Sequence, residues 1–203
     1  METEIDYEYL QKLIDEYSVL KEKISYIEVN DNDYDISYMT KKEDIRINLF
    51  QGLHAAYWRK RYKCVERTKI RKDSKNHCKI YRKDGLLVRV DCYLHGKIDV
   101  VFIAYYEDDK VILYPFWEDG KFYPTYAYVT KYDDGVVVEE YCVQDHQIVY
   151  DKYLYDKEDT VGYISVNYFP NSKYLVYEKQ LGTILLQPEL DYRIDQYSTW
   201  RDN

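Results

Sequence analysis

Glycine and proline are scarce in this chain, with seven glycines and four prolines among 203 residues. So little glycine leaves no glycine-rich loop to cradle a phosphate, and there is no Gly-x-Ser-x-Gly motif for a nucleophilic serine. No apolar run approaches the roughly 20 residues that a membrane-spanning helix needs. The acidic beginning, METEIDYEYL, lacks the basic and apolar segments of a secretion signal. We therefore expect a cytoplasmic protein that does not associate with a membrane.

Cysteine is also sparse, and no two cysteines have the Cys-x-x-Cys spacing of a zinc ribbon. Cys92 and His95 are the best zinc candidates, but small thiols that face a sheet core explain the cysteine pattern more simply. The four thiols (Cys64, Cys78, Cys92 and Cys142) are expected to stay reduced in a cytoplasmic chain. No nucleophile stands beside a candidate base. The sequence therefore predicts no metal, no cofactor and no catalytic residue.

Tyrosine, in contrast, occurs 27 times. Its ring packs on a sheet while its hydroxyl reaches water or a polar partner, so tyrosine fits half-buried strand positions. The same side chain is enriched at binding hot spots, because a rigid ring gives contact area at little entropic cost. Abundant tyrosine therefore indicates either an ordinary sheet surface or an interface.

Charge is unevenly distributed along the chain, whose formal net charge is −8. Residues 59–83 contain 12 lysines or arginines against two acidic residues, Glu66 and Asp73. The rest of the chain carries 17 basic against 35 acidic residues. This asymmetry indicates a charged partner or a self-complementary surface.

The segment Leu86–Trp117 has the strongest strand pattern. Apolar and polar residues alternate from Val88 to Tyr93, which is typical of a strand with two unlike faces. Val100–Tyr106 is apolar at nearly every position, as in a strand covered on both faces. Short polar turns recur every 10 to 15 residues through the rest of the chain. The pattern predicts an antiparallel β-meander.

The chain is predicted to form one domain over residues 1–203, of which 1–60 are mainly helical. Apolar residues recur at helical spacing from Leu10 to Ile24, and Thr40-Lys41-Lys42-Glu43 is a capping box for a second helix. Residues 41–58 also fit a strand. Residues 61–187 are predicted to form the meander, and 188–203 a short helix or tail. The predicted class is α+β, with N-terminal helices packed on a large antiparallel β-meander.

Three segments resemble the MORN-like repeats of bacterial antitoxin-type proteins, in which tyrosine pairs and acidic Gly-Lys turns punctuate successive hairpins. They are Gly96–Asp99, Tyr105–Val111 and Glu118–Lys121. The whole chain, which is small, acidic and rich in tyrosine, is also similar to immunity proteins of bacterial polymorphic toxins. The resemblance implies a protein-binding inhibitor, and it assigns no individual residue.

We therefore expect a non-enzymatic, stoichiometric inhibitor, an immunity or antitoxin protein that blocks a basic toxin domain through an acidic, tyrosine-rich sheet face. The residues predicted to bind the partner are Tyr126, Tyr128, Asp133, Asp134, Glu139, Tyr153 and Tyr155. The alternative is nucleic-acid binding through a basic hairpin spanning residues 59–83. Its residues are Arg59, Arg61, Lys63, Arg67, Lys69 and Arg71. An enzyme without a recognisable motif is the third hypothesis.

Overall fold

The computed structural model describes residues 6–20, 24–40, 65–121, 126–144, 147–155, 160–169, 177–185 and 193–202. The chain divides into two compact units. The first unit spans Ile24–Pro124, and the second combines Met1–Lys23 with Thr125–Asn203. The single domain over residues 1–203 stays a prediction. Within the described residues, no helix is long and apolar enough to cross a bilayer.

The first unit is an antiparallel sheet whose strands lie in the order β6-β5-β4-β3-β1-β2. In chain order they are β1 (Asp35–Thr40), β2 (Val65–Arg67), β3 (His77–Lys83), β4 (Leu86–Leu94), β5 (Lys97–Tyr106) and β6 (Lys110–Phe116). Consecutive hairpins join β3 to β6, as the meander prediction requires. Residues 100–103 and 111–114 are buried at every position, so both faces of β5 and β6 are covered there. Tyr26 covers part of one face, because its ring packs edge-on against that of Phe116.

β2 and β3 do not form the hairpin that the sequence predicted for residues 59–83. β1 lies between them and pairs through Tyr38 with Arg67 on one side and with Lys79 on the other. Side chains reinforce this order, because Glu66 of β2 accepts hydrogen bonds from Ser37 of β1 and from Arg82 of β3. β1 comes from an earlier part of the chain, and alternation within β2 and β3 carries no information about an inserted strand. Residues 68–76 therefore form a crossover connection between parallel strands.

Three hairpins of the meander share one turn geometry. The two-residue loops Asp84-Gly85, His95-Gly96 and Asp134-Gly135 all have positive φ at both positions, between 48° and 83°. This is the pattern of a type I′ turn, whose twist matches that of the strands it joins. These loops are examples of the short polar turns that the sequence indicated, since Gly and Asp tolerate positive φ.

The second unit packs one helix on a second antiparallel run of strands. These are α1 (Tyr7–Leu20), β7 (Ala127–Asp133), β8 (Val136–Gln144), β9 (Gln147–Leu154), β10 (Thr160–Tyr168), β11 (Tyr177–Leu185) and β12 (Arg193–Asp202). The six strands pair in chain order, and α1 contacts β8 and β9. The predicted α+β class, with an N-terminal helix on an antiparallel meander, is confirmed.

Helix α1 buries the apolar stripe that the sequence indicated. Leu10, Leu13, Ile14 and Tyr17 recur at three- and four-residue spacing and are at most 6 % exposed. Asp6 caps the helix, because its carboxylate accepts a hydrogen bond from the Tyr9 amide at 2.9 Å. The helix is described as Tyr7–Leu20, and Ile24 is not helical, so the prediction that the helix reaches Ile24 is corrected.

Two other boundary predictions have different outcomes. Residues 193–202 form strand β12, paired with β11, where a short helix or tail was predicted. The apolar spacing near Leu190 also suits a strand, and pairing with a neighbouring strand decides the outcome. The proposed capping box and the segment 41–58 lie outside the described residues, apart from Thr40, which ends β1.

Candidate functional site

Three of the tyrosines predicted to bind a partner lie in the core of the second unit. Tyr126, Tyr128 and Tyr153 are 8 %, 9 % and 3 % exposed. The rings of Tyr126 and Tyr128 lie 5.0 Å apart. Burial leaves these three rings little surface to offer a partner, and their place in a binding face stays a prediction.

The adjacent glutamates of β8 are also buried, and each is held by tyrosine hydroxyls. Glu139 accepts a hydrogen bond from Tyr9 of α1 at 2.7 Å and another from Tyr150. Glu140 accepts one from Tyr153 at 2.6 Å. Burial, together with the neighbouring Glu139 carboxylate, raises the pKa of the Tyr150 hydroxyl well above its ordinary value. Glu139 therefore ties the helix to the sheet, and its place in a binding surface stays a prediction.

The remaining predicted residues lie together at the β7–β8 turn. Asp133 and Asp134 are exposed, and neither forms an ion pair with any residue that the structure describes. Tyr155 is 41 % exposed, and Val136, which was not predicted, is 44 % exposed. Tyr155 lies beside the same turn, because its hydroxyl reaches the carbonyl oxygen of Val137, the residue next to Val136. We call these four residues, Asp133, Asp134, Val136 and Tyr155, the turn patch.

Tyr155 is an anchored ring. Its hydroxyl donates a hydrogen bond to the carbonyl oxygen of Val137 at 2.6 Å. The ring therefore stands beside the turn in one orientation while two-fifths of the side chain stays accessible. Such a group can contact a partner without first losing rotational freedom.

The basic residues of the alternative hypothesis are only partly described. Arg67, Lys69 and Arg71 are exposed and lie at the end of β2 and in the crossover that follows it. They line one side of a cavity of about 390 Å³ on the first unit. Arg59, Arg61 and Lys63 lie outside the described residues.

A buried ion pair occupies the centre of the first unit. Arg89 and Asp91 are 7 % and 2 % exposed, and the Arg89 Nε lies 2.5 Å from the Asp91 carboxylate. Tyr81 donates a second hydrogen bond to Asp91 at 3.0 Å, and the Arg89 guanidinium donates to the Ile27 carbonyl at 2.8 Å. Burial alone would lower the pKa of Arg89, but hydrogen bonding to Asp91 and its charge raise it overall. These hydrogen bonds hold the two charges against their own unit, which is the arrangement of a structural network.

Two thiols face each other across β3 and β4. The Sγ atoms of Cys78 and Cys92 are 3.4 Å apart, and both side chains are at most 2 % exposed. Burial raises the pKa of Cys92 well above its usual value, and that of Cys142 to about 12. Protonated, buried thiols are poor nucleophiles and poor metal ligands. No group of three or more metal-ligating side chains occurs within the described ranges; the reduced thiols and the absence of zinc stay predictions.

The described histidines contact aromatic or turn atoms. His77 stacks on Tyr93 with ring centroids 4.3 Å apart, and burial lowers the pKa of its imidazole. His95 occupies the first position of the β4–β5 turn. Neither lies in hydrogen-bond contact with a serine or cysteine side chain among the described contacts.

Comparison of the chain with models of protein families, with curated proteins and with solved structures finds no match. Function must therefore be argued from the turn patch, the cavity and the charges of this chain alone.

Proposed function

We propose that the protein is a non-enzymatic, protein-binding inhibitor that acts in the cytoplasm as an immunity or antitoxin protein against a basic toxin domain. The turn patch carries this proposal, because it combines two exposed carboxylates with an anchored, exposed tyrosine and an exposed valine. An aromatic anchor beside charged residues is the composition of a hot spot with a polar rim.

The two parts of the turn patch would act at different stages of binding. Asp133 and Asp134 lie on a type I′ turn that projects from the sheet, and their charges would attract a basic partner during the encounter. Tyr155 and Val136 would then be covered by the partner and supply affinity. The net charge of −8 supports a basic partner.

Of the seven binding residues expected from the sequence, this proposal keeps Asp133, Asp134 and Tyr155 as contacts with the partner. Tyr126, Tyr128, Tyr153 and Glu139 contribute to the core, and they support the turn patch without contacting the partner. The nucleic-acid alternative rests, within the described residues, on Arg67, Lys69 and Arg71.

A photocrosslinking residue placed at Val136 tests the proposal. We expect it to cross-link one basic protein in nuclease-treated extract of the source organism. The matched control carries the same residue at Leu94, which is also 44 % exposed but lies on the first unit, and it should cross-link nothing reproducibly. Equal cross-linking from both positions would show that the turn patch is not selective.

Affinity for the cross-linked protein then separates the roles of the residues. Tyr155→Ala should weaken binding by about 2 kcal/mol, whereas Tyr105→Ala, a ring with 36 % exposure on the first unit, should not change it. Asp133→Lys with Asp134→Lys should mainly slow association, and added salt should reduce the difference. The proposal is abandoned if neither set of changes alters binding, or if only nucleic acid is recovered and Arg67→Glu, Lys69→Glu and Arg71→Glu abolish its retention.

A further inference from the structure

The crossover between β2 and β3 lines a cavity, and three of the six lining residues that the structure describes are basic. The cavity has a volume of about 390 Å³ and is open to solvent. The lining residues that the structure describes are Arg67, Lys69, Ile70, Arg71, Asp73 and Ser74. Among them three basic side chains stand against one carboxylate, a formal net charge of about +2.

Among the residues that the structure describes, these three cations lack the ion pairs that several other basic side chains of the same unit form. Lys79 reaches Asp31 at 2.5 Å, Lys110 reaches Glu107 at 2.9 Å, and Arg82 is paired with Glu66. Within the part of the chain that the structure describes, Arg67, Lys69 and Arg71 form no ion pair. Their charges therefore remain available to an anion that enters the cavity.

The backbone of the crossover is held at several points. The Ser74 amide donates to the Arg71 carbonyl at 3.0 Å, which closes a turn beside the cavity. Further along, the Gly96 amide donates to the Lys75 carbonyl at 2.7 Å, and the His95 amide to the Asn76 side chain at 2.8 Å. The other end of the crossover leaves β2, which is paired with β1. A backbone fixed at both ends keeps the cations near one another before a ligand arrives, which lowers the entropic cost of binding.

We propose that this cavity binds a phosphate-bearing small molecule of about nucleotide size. Its volume falls in the range of about 300–1,000 Å³ that is typical of small-molecule sites. Arginine forms paired hydrogen bonds with phosphate oxygens, and lysine supplies a compact charge beside them. The half-buried Ile70 offers an apolar contact for the rest of the ligand. A long polyanion fits less well, because the chain outside residues 59–83 carries 35 acidic against 17 basic residues.

Calorimetric titration of the full chain with pyrophosphate and with ATP, in magnesium-free buffer of low ionic strength, tests the site. We expect saturable binding of both probes with one ligand per chain. Arg67→Ala, Lys69→Ala and Arg71→Ala together should weaken it at least about tenfold. The control removes the same charge from exposed lysines outside the lining, with Lys83→Ala, Lys97→Ala and Lys152→Ala, and should retain binding. Absence of binding by the unchanged protein, or equal loss in both triple variants, overturns the proposal.

A single substitution that is expected to strengthen binding gives a test that a misfolded variant cannot pass. Asp73→Asn removes the one carboxylate from the lining, so it should tighten ATP binding several-fold. A single-stranded oligothymidylate separates the two sources of phosphate. If the oligonucleotide binds and pyrophosphate and ATP do not, the cavity is a contact for a nucleic-acid backbone, and the proposal of a small phosphate-bearing ligand is wrong.

Discussion

At the scale of single residues, we expect the largest loss of stability from a substitution in the buried pair of Arg89 and Asp91. Asp91→Asn would leave the Arg89 guanidinium buried without its countercharge, so we expect a loss of about 3 kcal/mol or more in the free energy of unfolding. The control, Glu107→Gln, removes a partly exposed carboxylate 2.9 Å from Lys110 and should cost less than about 1 kcal/mol. Urea unfolding followed by circular dichroism measures both. Equal losses in the free energy of unfolding would mean that burial does not increase the contribution of the Arg89–Asp91 pair to stability.

Residue-scale features were only partly predictable from sequence. Strand alternation sends the adjacent residues Glu139 and Glu140 to opposite faces, and they bond to different tyrosines, Tyr9 and Tyr153. Alternation could not show that both would be buried. The hydroxyl that reaches Glu139 belongs to a residue 130 positions earlier, and only folding brings the two together.

At the scale of elements, the β4–β5 turn tests how strictly a type I′ geometry selects its residues. His95 has φ of 54°, and its side chain is exposed. His95→Val should destabilise the protein by about 1–2 kcal/mol, because a β-branched residue is strained at positive φ. His95→Asn should be neutral or slightly stabilising, since asparagine tolerates this conformation. Thermal unfolding of the two variants checks the difference. A valine variant as stable as the asparagine one would contradict the assignment of the turn.

The strands and turns of the meander follow from local sequence, whereas bulges and the inserted strand do not. Two-residue turns are specified by Asp-Gly and His-Gly, and the strand pairing follows directly from them. Register shifts occur three residues after Gly85, Gly96 and Gly135, where Val88, Asp99 and Val138 are extra residues on the second strand of each hairpin. No turn residue marks these positions. The insertion of β1 between β2 and β3 is a non-local pairing, and a local pattern cannot predict it.

At the scale of the whole molecule, folding determines which charges of the unevenly charged sequence are paired and which remain available to a ligand. Residues 59–83 read as a uniformly basic stretch, yet Lys79 and Arg82 are paired with acids 48 and 16 residues away in the chain. The charge that stays unpaired, within the described residues of that stretch, includes the three cations of the cavity. Composition therefore predicted that a basic region exists, and tertiary contacts determine which of its side chains can meet a ligand.

The many buried tyrosines give the molecule a specific response to alkali. Burial raises the pKa of Tyr81, Tyr93 and Tyr150, and neighbouring carboxylates, Asp91 for Tyr81 and Tyr93 and Glu139 for Tyr150, raise it further. The folded state thus favours the neutral phenol, whereas a tyrosine in the unfolded chain ionises at about pH 10. Their contribution to stability is complete below about pH 10 and is lost progressively as the pH rises from there towards the folded pKa values.

We expect the free energy of unfolding to begin to fall from about pH 8.5, where thiols ionise in the unfolded chain while Cys92 and Cys142 stay protonated in the fold. Above about pH 10 it should fall more steeply, by up to about 1.4 kcal/mol per pH unit for each buried tyrosine. Urea unfolding over this range measures the slope, and tyrosinate absorbance records ionisation. Tyr150→Phe should reduce the alkaline slope of the free energy of unfolding by the contribution of one proton. The phenylalanine ring cannot ionise, so the unfolded chain no longer releases a proton that the folded chain retains. Tyr105→Phe, at an exposed ring, is the matched control and should leave the slope close to that of the unchanged protein. A flat profile up to about pH 11 would show that the tyrosine hydroxyls ionise as readily in the fold as in the unfolded chain.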